Sequence, residues 1–223
     1  MKKFKVLSIM SKNLNREVEI YISLPKSYFD SEKSYPVLYM NDGQILFNEY
    51  EDSTVEGWGI MESYMSNPNS TELILVGVAS SETRNDELIP VKVTSKSSGR
   101  SFGGKTNLYM DFIVDELMPH INKEFRTKPT RENTGILGVS LGGVCIIYAS
   151  INYQEHFSKF AGISNAFPPV RRQLVKMIQD AELSGVHKMY LDVGTNETNK
   201  ENGNIAYLES NKEVYDALQE KLD

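Results

Sequence analysis

The chain has 223 residues, of which 30 are acidic and 24 are basic, so its formal net charge is −6. This length suits one domain with a substantial core, and the acidic balance argues against the basic face that broad nucleic-acid binding requires. A single cysteine excludes an internal disulfide framework, and no apolar run approaches the roughly 18 residues of a membrane span, so we expect a cytoplasmic protein without nucleic-acid or membrane partners.

Short apolar runs alternate with helical patterns along most of the chain. Alternating polar and apolar residues predict a half-exposed strand over 17–24. Buried strands are predicted over 36–40, 73–79, 135–139, 160–163 and 188–193, and helices over 108–121, 144–151, 171–181 and 211–222. This order is typical of an α/β fold, a mostly parallel sheet flanked by helices, here with an antiparallel start. The polar stretch 80–104 is expected to be a long functional loop, and the lack of a linker predicts one domain over 1–223.

The segment Gly138-Val139-Ser140-Leu141-Gly142 matches G-x-S-x-G, the pattern of a nucleophile elbow. An elbow serine sits on a strained turn between a strand and a helix, and the close packing of these two elements leaves no room for side chains at the flanking glycines. A strand is predicted before Ser140 and a helix after it, as the motif requires. The amide of Leu141 would then donate to an oxyanion at the start of the helix. The alternative is an ordinary glycine-rich turn.

A second segment, Gly99 to Thr106, matches G-x-x-x-x-G-K-T, the pattern of a phosphate-binding loop. Lys105 and Thr106 would then be nucleotide ligands. A buried strand must lead directly into such a loop, whereas residues 91–98 are polar and cationic. We therefore favour a chance match in a surface loop and keep nucleotide binding as the weakest alternative.

An elbow serine needs an acid and then a histidine later in the chain. Glu197 follows the last predicted strand and can reach over the edge of the sheet, whereas Asp192 is predicted to lie within that strand. Three histidines are present, none of them after Glu197: His120, His156 and His187. We interpret each as structural or solvated, and their spacing is not that of metal ligands. Cys145 is interpreted as a small buried hydrophobic residue.

Four segments together resemble the Putative esterase family of the α/β-hydrolase superfamily, and most closely its bacterial members that are similar to siderophore esterases. These segments, within about residues 17 to 222, are Tyr35–Gln44 with Phe47, Arg84 with Asp86–Pro90, Gly138–Gly143, and Tyr190–Glu197. The resemblance implies an α/β-hydrolase fold and a serine hydrolase of carboxylic esters that needs no metal or organic cofactor.

The resemblance also implies roles for particular residues. Ser140 matches the nucleophile, the amides of Leu141 and Gln44 match the oxyanion hole, and Glu197 matches the acid. Position alone points to Trp58, and to Arg84 in the stretch 80–104, as residues that bind a small-molecule ester substrate.

The resemblance is incomplete after the helix predicted over 211–222. Family members continue into a further strand and a loop with the catalytic histidine, so we expect a chain truncated before that strand, with the flank of strand 188–193 exposed. An exposed strand edge is prone to pairing, and we expect a homo-oligomer. Three functions stay open: hydrolysis of a siderophore lactone or small acyl ester, ligand binding by a non-catalytic remnant, and nucleotide binding.

Overall fold

The computed structural model describes residues 4–46, 59–95 and 98–222. Nine strands form in these ranges: β1 (Lys5–Ser11), β2 (Arg16–Ser23), β3 (Val37–Asn41), β4 (Ile74–Val78), β5 (Val93–Thr94), β6 (Ser101–Phe102), β7 (Thr134–Val139), β8 (Lys159–Ile163) and β9 (Lys188–Leu191). Eight α-helices accompany them: α1 (Gly43–Leu46), α2 (Ile60–Ser66), α3 (Arg84–Leu88), α4 (Thr106–Asp111), α5 (Met118–Glu124), α6 (Leu141–Asn152), α7 (Arg171–Gln179) and α8 (Glu201–Leu222). A π-helical segment, Phe112–Leu117, joins α4 to α5. Within these ranges, no helix is both long enough and apolar enough to cross a membrane.

Seven of these strands form one sheet in the order β1-β2-β4-β3-β7-β8-β9. The pairs β1–β2 and β2–β4 are antiparallel, whereas β4, β3, β7, β8 and β9 run parallel to one another. The apolar runs of β3 and β4 are almost wholly buried, as expected of central strands that are covered on both faces. The predicted α/β class is therefore confirmed: a mostly parallel sheet flanked by helices, with an antiparallel start.

Apolar side chains pack on both faces of the sheet, because successive residues of a strand point to opposite faces. Val37 and Tyr39 of β3 join a large cluster with α6 and the continuous helix 106–124. Met40 points the other way, into a smaller cluster with α1. A third cluster packs α6, α7 and α8 together, and β9 lies against it.

Several predicted boundaries differ from the structure, and three of the differences concern segments near the candidate site. The stretch 80–104 is not one loop, because it contains α3 and a separate sheet of β5 and β6, whose runs are too short to show a period. α8 begins at Glu201 rather than at 211, because the polar residues of its first turns hide the apolar spacing. β9 ends at Leu191, so Asp192 lies just after the strand and not within it.

Cys145 lies on the buried side of α6 and is completely enclosed. Its Sγ atom is 3.8 Å from the Sδ atom of Met110, on the helix that covers the same face of the sheet. Burial raises the pKa of the Cys145 thiol to about 12. The interpretation of this residue as a small buried hydrophobic side chain is confirmed.

The Cys145 thiol should react slowly with a disulfide reagent such as dithiobis(nitrobenzoate). The thiolate is the reactive form, and burial, which raises the pKa of the Cys145 thiol, makes the thiolate rarer in the folded chain than in the unfolded chain. The measurement is the absorbance change on labelling, with and without guanidinium chloride. Rapid labelling of a chain with unchanged circular dichroism would contradict the burial of α6.

Candidate active site

Several loops converge at one edge of the sheet. β3, β7, β8 and β9 are parallel, so their carboxyl ends lie at the same edge. The turns at these ends carry residues 41–44, Ser140, Ser164 and Asp192, and Glu197 lies in the loop that follows β9. Ligands of open parallel sheets bind outside this edge. We refer to it as the carboxyl edge and consider it the candidate active site.

Ser140 occupies the sharp turn between β7 and α6, with φ 58° and ψ −117°. Positive φ in a residue other than glycine costs free energy and persists only where the surroundings impose it. Two backbone hydrogen bonds impose it here: the Ser140 amide donates to the carbonyl of Ile163 (2.9 Å), and the amide of Ala166 donates to the carbonyl of Ser140 (3.1 Å). Leu141 is the first residue of α6, so its amide has no acceptor within the helix.

The glycines of the G-x-S-x-G motif do not have equal roles. A Cβ atom on Gly138 would overlap the backbone carbonyl of Gly142, so β7 and α6 approach each other too closely for a side chain there. A Cβ on Gly142 would lie 3.6 Å from the Cβ of Asn41, which is ordinary contact. The expectation that both positions lack room is therefore correct for Gly138 and wrong for Gly142. The second close approach is at Gly143, where a Cβ would overlap the side chain of Asn165.

Asp42 follows β3 and carries a buried carboxylate. Its φ is 58°, and its side chain is 0% exposed. Arg84 of α3 clamps both carboxylate oxygens, through Nε and Nη2, at 2.7 Å each. Burial lowers the pKa of Arg84, but the hydrogen bonds and the negative charge of Asp42 raise it by more. The Arg84 guanidinium, which its place in the sequence suggested for substrate binding, is therefore bound to the turn after β3.

Gln44 is the second residue of α1 and is tied to the end of β4. Its Oε1 atom accepts a hydrogen bond from the amide of Ser80 (3.0 Å), and its Nε2 atom donates to the hydroxyl of Ser80 (2.5 Å). A Cβ on the preceding Gly43 would overlap the backbone of Gly77, so α1 is pressed against β4. The amide of Gln44 is expected in the oxyanion hole, and the chain around it has two anchors: the Gln44 side chain bonds to Ser80, and Arg84 bonds to Asp42 two residues earlier.

The two candidate acids share one neighbour, Ser164, which also has a positive φ of 53°. Glu197 accepts a hydrogen bond from the Ser164 hydroxyl (2.5 Å) and another from the Gly194 amide (2.5 Å). Asp192 accepts from the Ser164 amide (2.7 Å) and from the hydroxyl of Tyr190 (2.9 Å), and this hydrogen bond raises the pKa of Tyr190. Both carboxylates thus lie at the carboxyl edge, and both are oriented.

Ser164 and Asn165 are site residues that the sequence reasoning missed. Asn165 is fully buried, and its amide donates to the carbonyls of Gly162 (3.2 Å) and Asp192 (2.8 Å). It thereby holds the turn after β8 against the turn after β9. The only signal in the sequence was that two polar residues directly follow an apolar strand.

The three histidines lie away from Ser140. His156 and His187 precede β8 and β9, at the amino ends of these strands and opposite the carboxyl edge. His120 lies one turn before the end of α5, and the chain after α5 meets the amino edge, where the Tyr35 amide donates to the carbonyl of Arg126. The prediction that the histidines are not catalytic partners of Ser140 is therefore consistent with their positions.

The segment Gly99–Thr106 does not have the structure of a phosphate-binding loop. The strand within it, β6, belongs to the two-stranded sheet with β5 and not to the main sheet. Lys105 faces Asp86 at 3.5 Å. Within the described residues, the strand that precedes this segment, β5, also belongs to the small sheet, which argues against the nucleotide-binding alternative.

Two further expectations concern Trp58 and the binding of a metal ion. Trp58 and Phe47 lie outside the described residues, so the substrate-binding role expected of Trp58 stays a prediction. Among the described residues, no group of three or more histidine, cysteine, aspartate or glutamate side chains could hold a metal ion.

The sequence of this chain is similar to that of a known protein family and to that of a curated bacterial protein. A family model described as Putative esterase matches residues 11–222. The curated Uncharacterized protein YbbA of Bacillus subtilis (strain 168) is 28% identical over 211 residues, which cover 93% of this chain and 79% of that protein.

Solved structures share the fold at low identity. An IroE-like serine hydrolase from Shewanella oneidensis superposes with a TM-score of 0.68 and 17% identity, covering 96% of this chain and 80% of that one. The enterochelin esterase of Shigella flexneri gives a TM-score of 0.73 at 15% identity, covering 98% of this chain and 51% of that one. The chain therefore spans about half the length of the enterochelin esterase, and at these identities the likeness shows the fold alone.

The two motif glycines provide a matched pair of substitutions. Gly138→Ala should destabilise the chain by about 1 to 3 kcal/mol, because the new methyl group overlaps backbone that cannot move independently. Gly142→Ala should leave stability unchanged or raise it by up to about 1 kcal/mol, because the helix accepts alanine and space is available. Urea unfolding curves of both variants measure the difference. Equal destabilisation would contradict the asymmetry.

Removal of the Arg84 clamp should destabilise the turn that carries Gln44. Arg84→Ala leaves the buried carboxylate of Asp42 without its partner, and we expect a loss of about 3 kcal/mol, the lower end for a broken buried pair because Arg84 is partly exposed. Lys212→Ala is the control, since it breaks an exposed pair with Asp216 that is equally short (2.6 Å) and should cost about 0.5 kcal/mol or less. Similar losses in urea unfolding would contradict the importance of burial.

Proposed function

Since the chain belongs to the Putative esterase family, we propose that it is a carboxylic ester hydrolase that works through an acyl-enzyme on Ser140. The observation that supports this most strongly is the backbone of Ser140. Its positive φ at the end of β7 is the conformation that presents a serine hydroxyl above a sheet at a nucleophile elbow.

In the proposed reaction, the Ser140 hydroxyl oxygen attacks the carbonyl carbon of the ester. The carbonyl oxygen becomes negatively charged, and the amides of Leu141 and Gln44 donate hydrogen bonds to it. The strength of such donors depends on their being fixed before the charge develops. The hydrogen bonds that hold Ser140 and Gln44 in place support this role. A general base takes the proton of the Ser140 hydroxyl and delivers it to the departing oxygen, which leaves as the alcohol. Water then attacks the acyl group in the same way, which releases the acid and restores the Ser140 hydroxyl.

Glu197 is the acid of this proposal. Its carboxylate is fixed by hydrogen bonds from Ser164 and Gly194. Its negative charge also acts on Tyr207 of α8, whose pKa is raised first by burial and then by this charge. Such a carboxylate would orient an imidazole and stabilise its charged form. Asp192, now located just after β9, is the nearest alternative because it is oriented through the same serine.

The proposed substrate is a small acyl ester or a siderophore lactone. The fold is shared with the enterochelin esterase of Shigella flexneri and with the siderophore hydrolase EstB of Aspergillus nidulans. We retain Trp58 and Arg84 as candidate walls of the substrate site. Arg84 stays a candidate although two of its nitrogen atoms, Nε and Nη2, already bond to Asp42. The reaction as proposed uses no metal or organic cofactor.

A second candidate function is ligand binding by a non-catalytic remnant of the fold. The observation in its favour is the position of His120, His156 and His187, which do not lie at the carboxyl edge. A serine without a general base is a weak nucleophile, and a positioned base contributes about 10²- to 10⁴-fold to the rate.

Hydrolysis of p-nitrophenyl butyrate with added imidazole separates the two functions. The wild-type chain and Ser140→Ala are each assayed with and without imidazole, which can act as a general base. We expect hydrolysis to be faster with the wild type than with the variant, and this difference to grow when imidazole is added. Intact-mass analysis should find the butyryl group on the wild-type chain only.

The Ser140→Ala variant with imidazole is the control for hydrolysis by imidazole itself. If the wild type and the variant hydrolyse the ester at equal rates in both conditions, and neither carries a butyryl group, the hydrolase proposal fails. The remnant function then gains support.

A further inference from the structure

We propose that the ion pair between Arg16 and Glu87 positions the backbone amide of Gln44 for the oxyanion hole. The pair fixes α3 against β2, and α3 in turn fixes the turn after β3, which carries Gln44. The use of this amide in an oxyanion hole rests on the proposed hydrolase function, whereas the mechanical link from β2 to Gln44 does not.

The amide of Gln44 belongs to a short helix that cannot hold its own position. α1 has four residues, and isolated helices of this length are not stable in water. The carbonyl of Asp42 accepts hydrogen bonds from the amides of Ile45 (2.9 Å) and Leu46 (3.3 Å). The amide of Gln44 comes too early in the helix to have an acceptor within it. Its direction therefore depends on contacts that hold the turn from outside.

The segment 80–88 holds this turn at two points. Ser80, at the start of the segment, bonds to both polar atoms of the Gln44 side chain. Arg84, the first residue of α3, bonds to both oxygens of the buried Asp42 carboxylate. α3 itself has only five residues, so it also needs outside contacts to keep its position.

Glu87 connects α3 to the main sheet. Arg16, the first residue of β2, donates from Nε to Oε1 of Glu87 (2.9 Å) and from Nη2 to Oε2 (2.7 Å). The hydroxyl of Thr83 also donates to Oε1 (2.7 Å). A guanidinium that binds both oxygens of a carboxylate fixes the distance and the orientation together. Since β2 is paired with β1 on one side and with β4 on the other, α3 is attached to a rigid support.

The burial of this ion pair favours a positioning role over a stabilising one. The side chain of Glu87 is 5% exposed, and that of Arg16 is 20% exposed. A buried ion pair is often no more stabilising than apolar side chains of the same volume, because both charges lose their hydration. Two apolar side chains could not, however, provide the fixed geometry of a two-bond fork. The pair therefore serves the position of α3 more than the stability of the fold.

Tyr109 lies close to both ion pairs of α3. It belongs to the helix 106–124, and it is buried. Burial raises the pKa of its hydroxyl, the charges of Cys145, Asp42 and Glu87 raise it further, and the charge of Arg16 lowers it. A hydroxyl that responds to both carboxylates is near the clamp on Asp42 and near the fork on Glu87. The two pairs therefore form one packed group, and a shift of α3 would disturb both.

A double substitution separates position from stability. Arg16→Met with Glu87→Leu replaces both charges by apolar side chains, so the urea midpoint should equal that of the wild type or exceed it. Glu87→Leu alone would leave the Arg16 charge unpaired, which is why both residues are changed. Arg171→Met with Glu213→Leu is the matched control, because it removes an ion pair (3.3 Å) that joins two other elements, α7 and α8.

Nuclear magnetic resonance relaxation tests the mechanical link without any reaction. The Gln44 N–H of the wild type should have an order parameter of about 0.85, typical of rigid backbone, and the Arg16/Glu87 double variant should give a value below about 0.6. The Arg171/Glu213 variant should keep the wild-type value. An unchanged order parameter at Gln44 in a folded Arg16/Glu87 double variant would overturn the proposal, whatever its activity.

Ester hydrolysis tests the link to the oxyanion hole. A loosened donor weakens an interaction made in the transition state, so the Ser140-dependent kcat for p-nitrophenyl butyrate should fall roughly tenfold in the Arg16/Glu87 double variant, with KM within about twofold. A kcat equal to that of the wild type would overturn the proposal. If the wild type shows no Ser140-dependent hydrolysis, the proposed function fails, and a loss of order at Gln44 would still support the positioning of its amide through α3.

Discussion

The parallel alignment of five neighbouring strands is the constraint on which the candidate site depends. β4, β3, β7, β8 and β9 all run in one direction, so segments far apart in sequence end at one edge. Burial on both faces stabilises this alignment, because the apolar strands can be covered only by helices above and below. The segments at that edge therefore inherit their relative positions from the core, without needing to contact one another extensively. Ser140 and Gln44 follow two paired strands, β7 and β3, for this reason, although almost one hundred residues separate them in the sequence.

Backbone strain is concentrated at the same edge. Of the four residues other than glycine with positive φ in the described chain, Asp42, Ser140 and Ser164 lie at the ends of β3, β7 and β8, and only Asn15 lies elsewhere. Each such conformation costs about 1 to 3 kcal/mol and must be maintained by its surroundings. The Arg84 clamp maintains one, and backbone hydrogen bonds to Ile163 and Ala166 maintain another. The strained residues, which lower the stability of the fold, thus lie where the proposed chemistry requires fixed backbone groups.

The sequence predicted the fold well wherever an element was long and its hydrophobic pattern was regular. The buried strands and the elbow were visible because an apolar run and a glycine motif are local properties. The pairing of Arg84 with Asp42 was not visible, since it joins positions 42 residues apart through a three-dimensional contact. Gly142 was misjudged because the motif does not tell which side of the helix faces the strand. Ser164 and Asn165 were missed because polar residues after a strand are also typical of ordinary loops. The sequence predicts Asp192 inside β9 because the apolar Val193 follows it, whereas the strand ends at Leu191.

Ser164 connects the loops after β8 and β9 through two different groups, its amide to Asp192 and its hydroxyl to Glu197. Local opening of either loop must break bonds that the other loop also uses, so the two loops form one cooperative unit. Their amide protons should therefore exchange with solvent deuterium at related rates, even though more than twenty residues lie between Ser164 and Asp192. A ligand that orders one loop would slow exchange in the other without touching it.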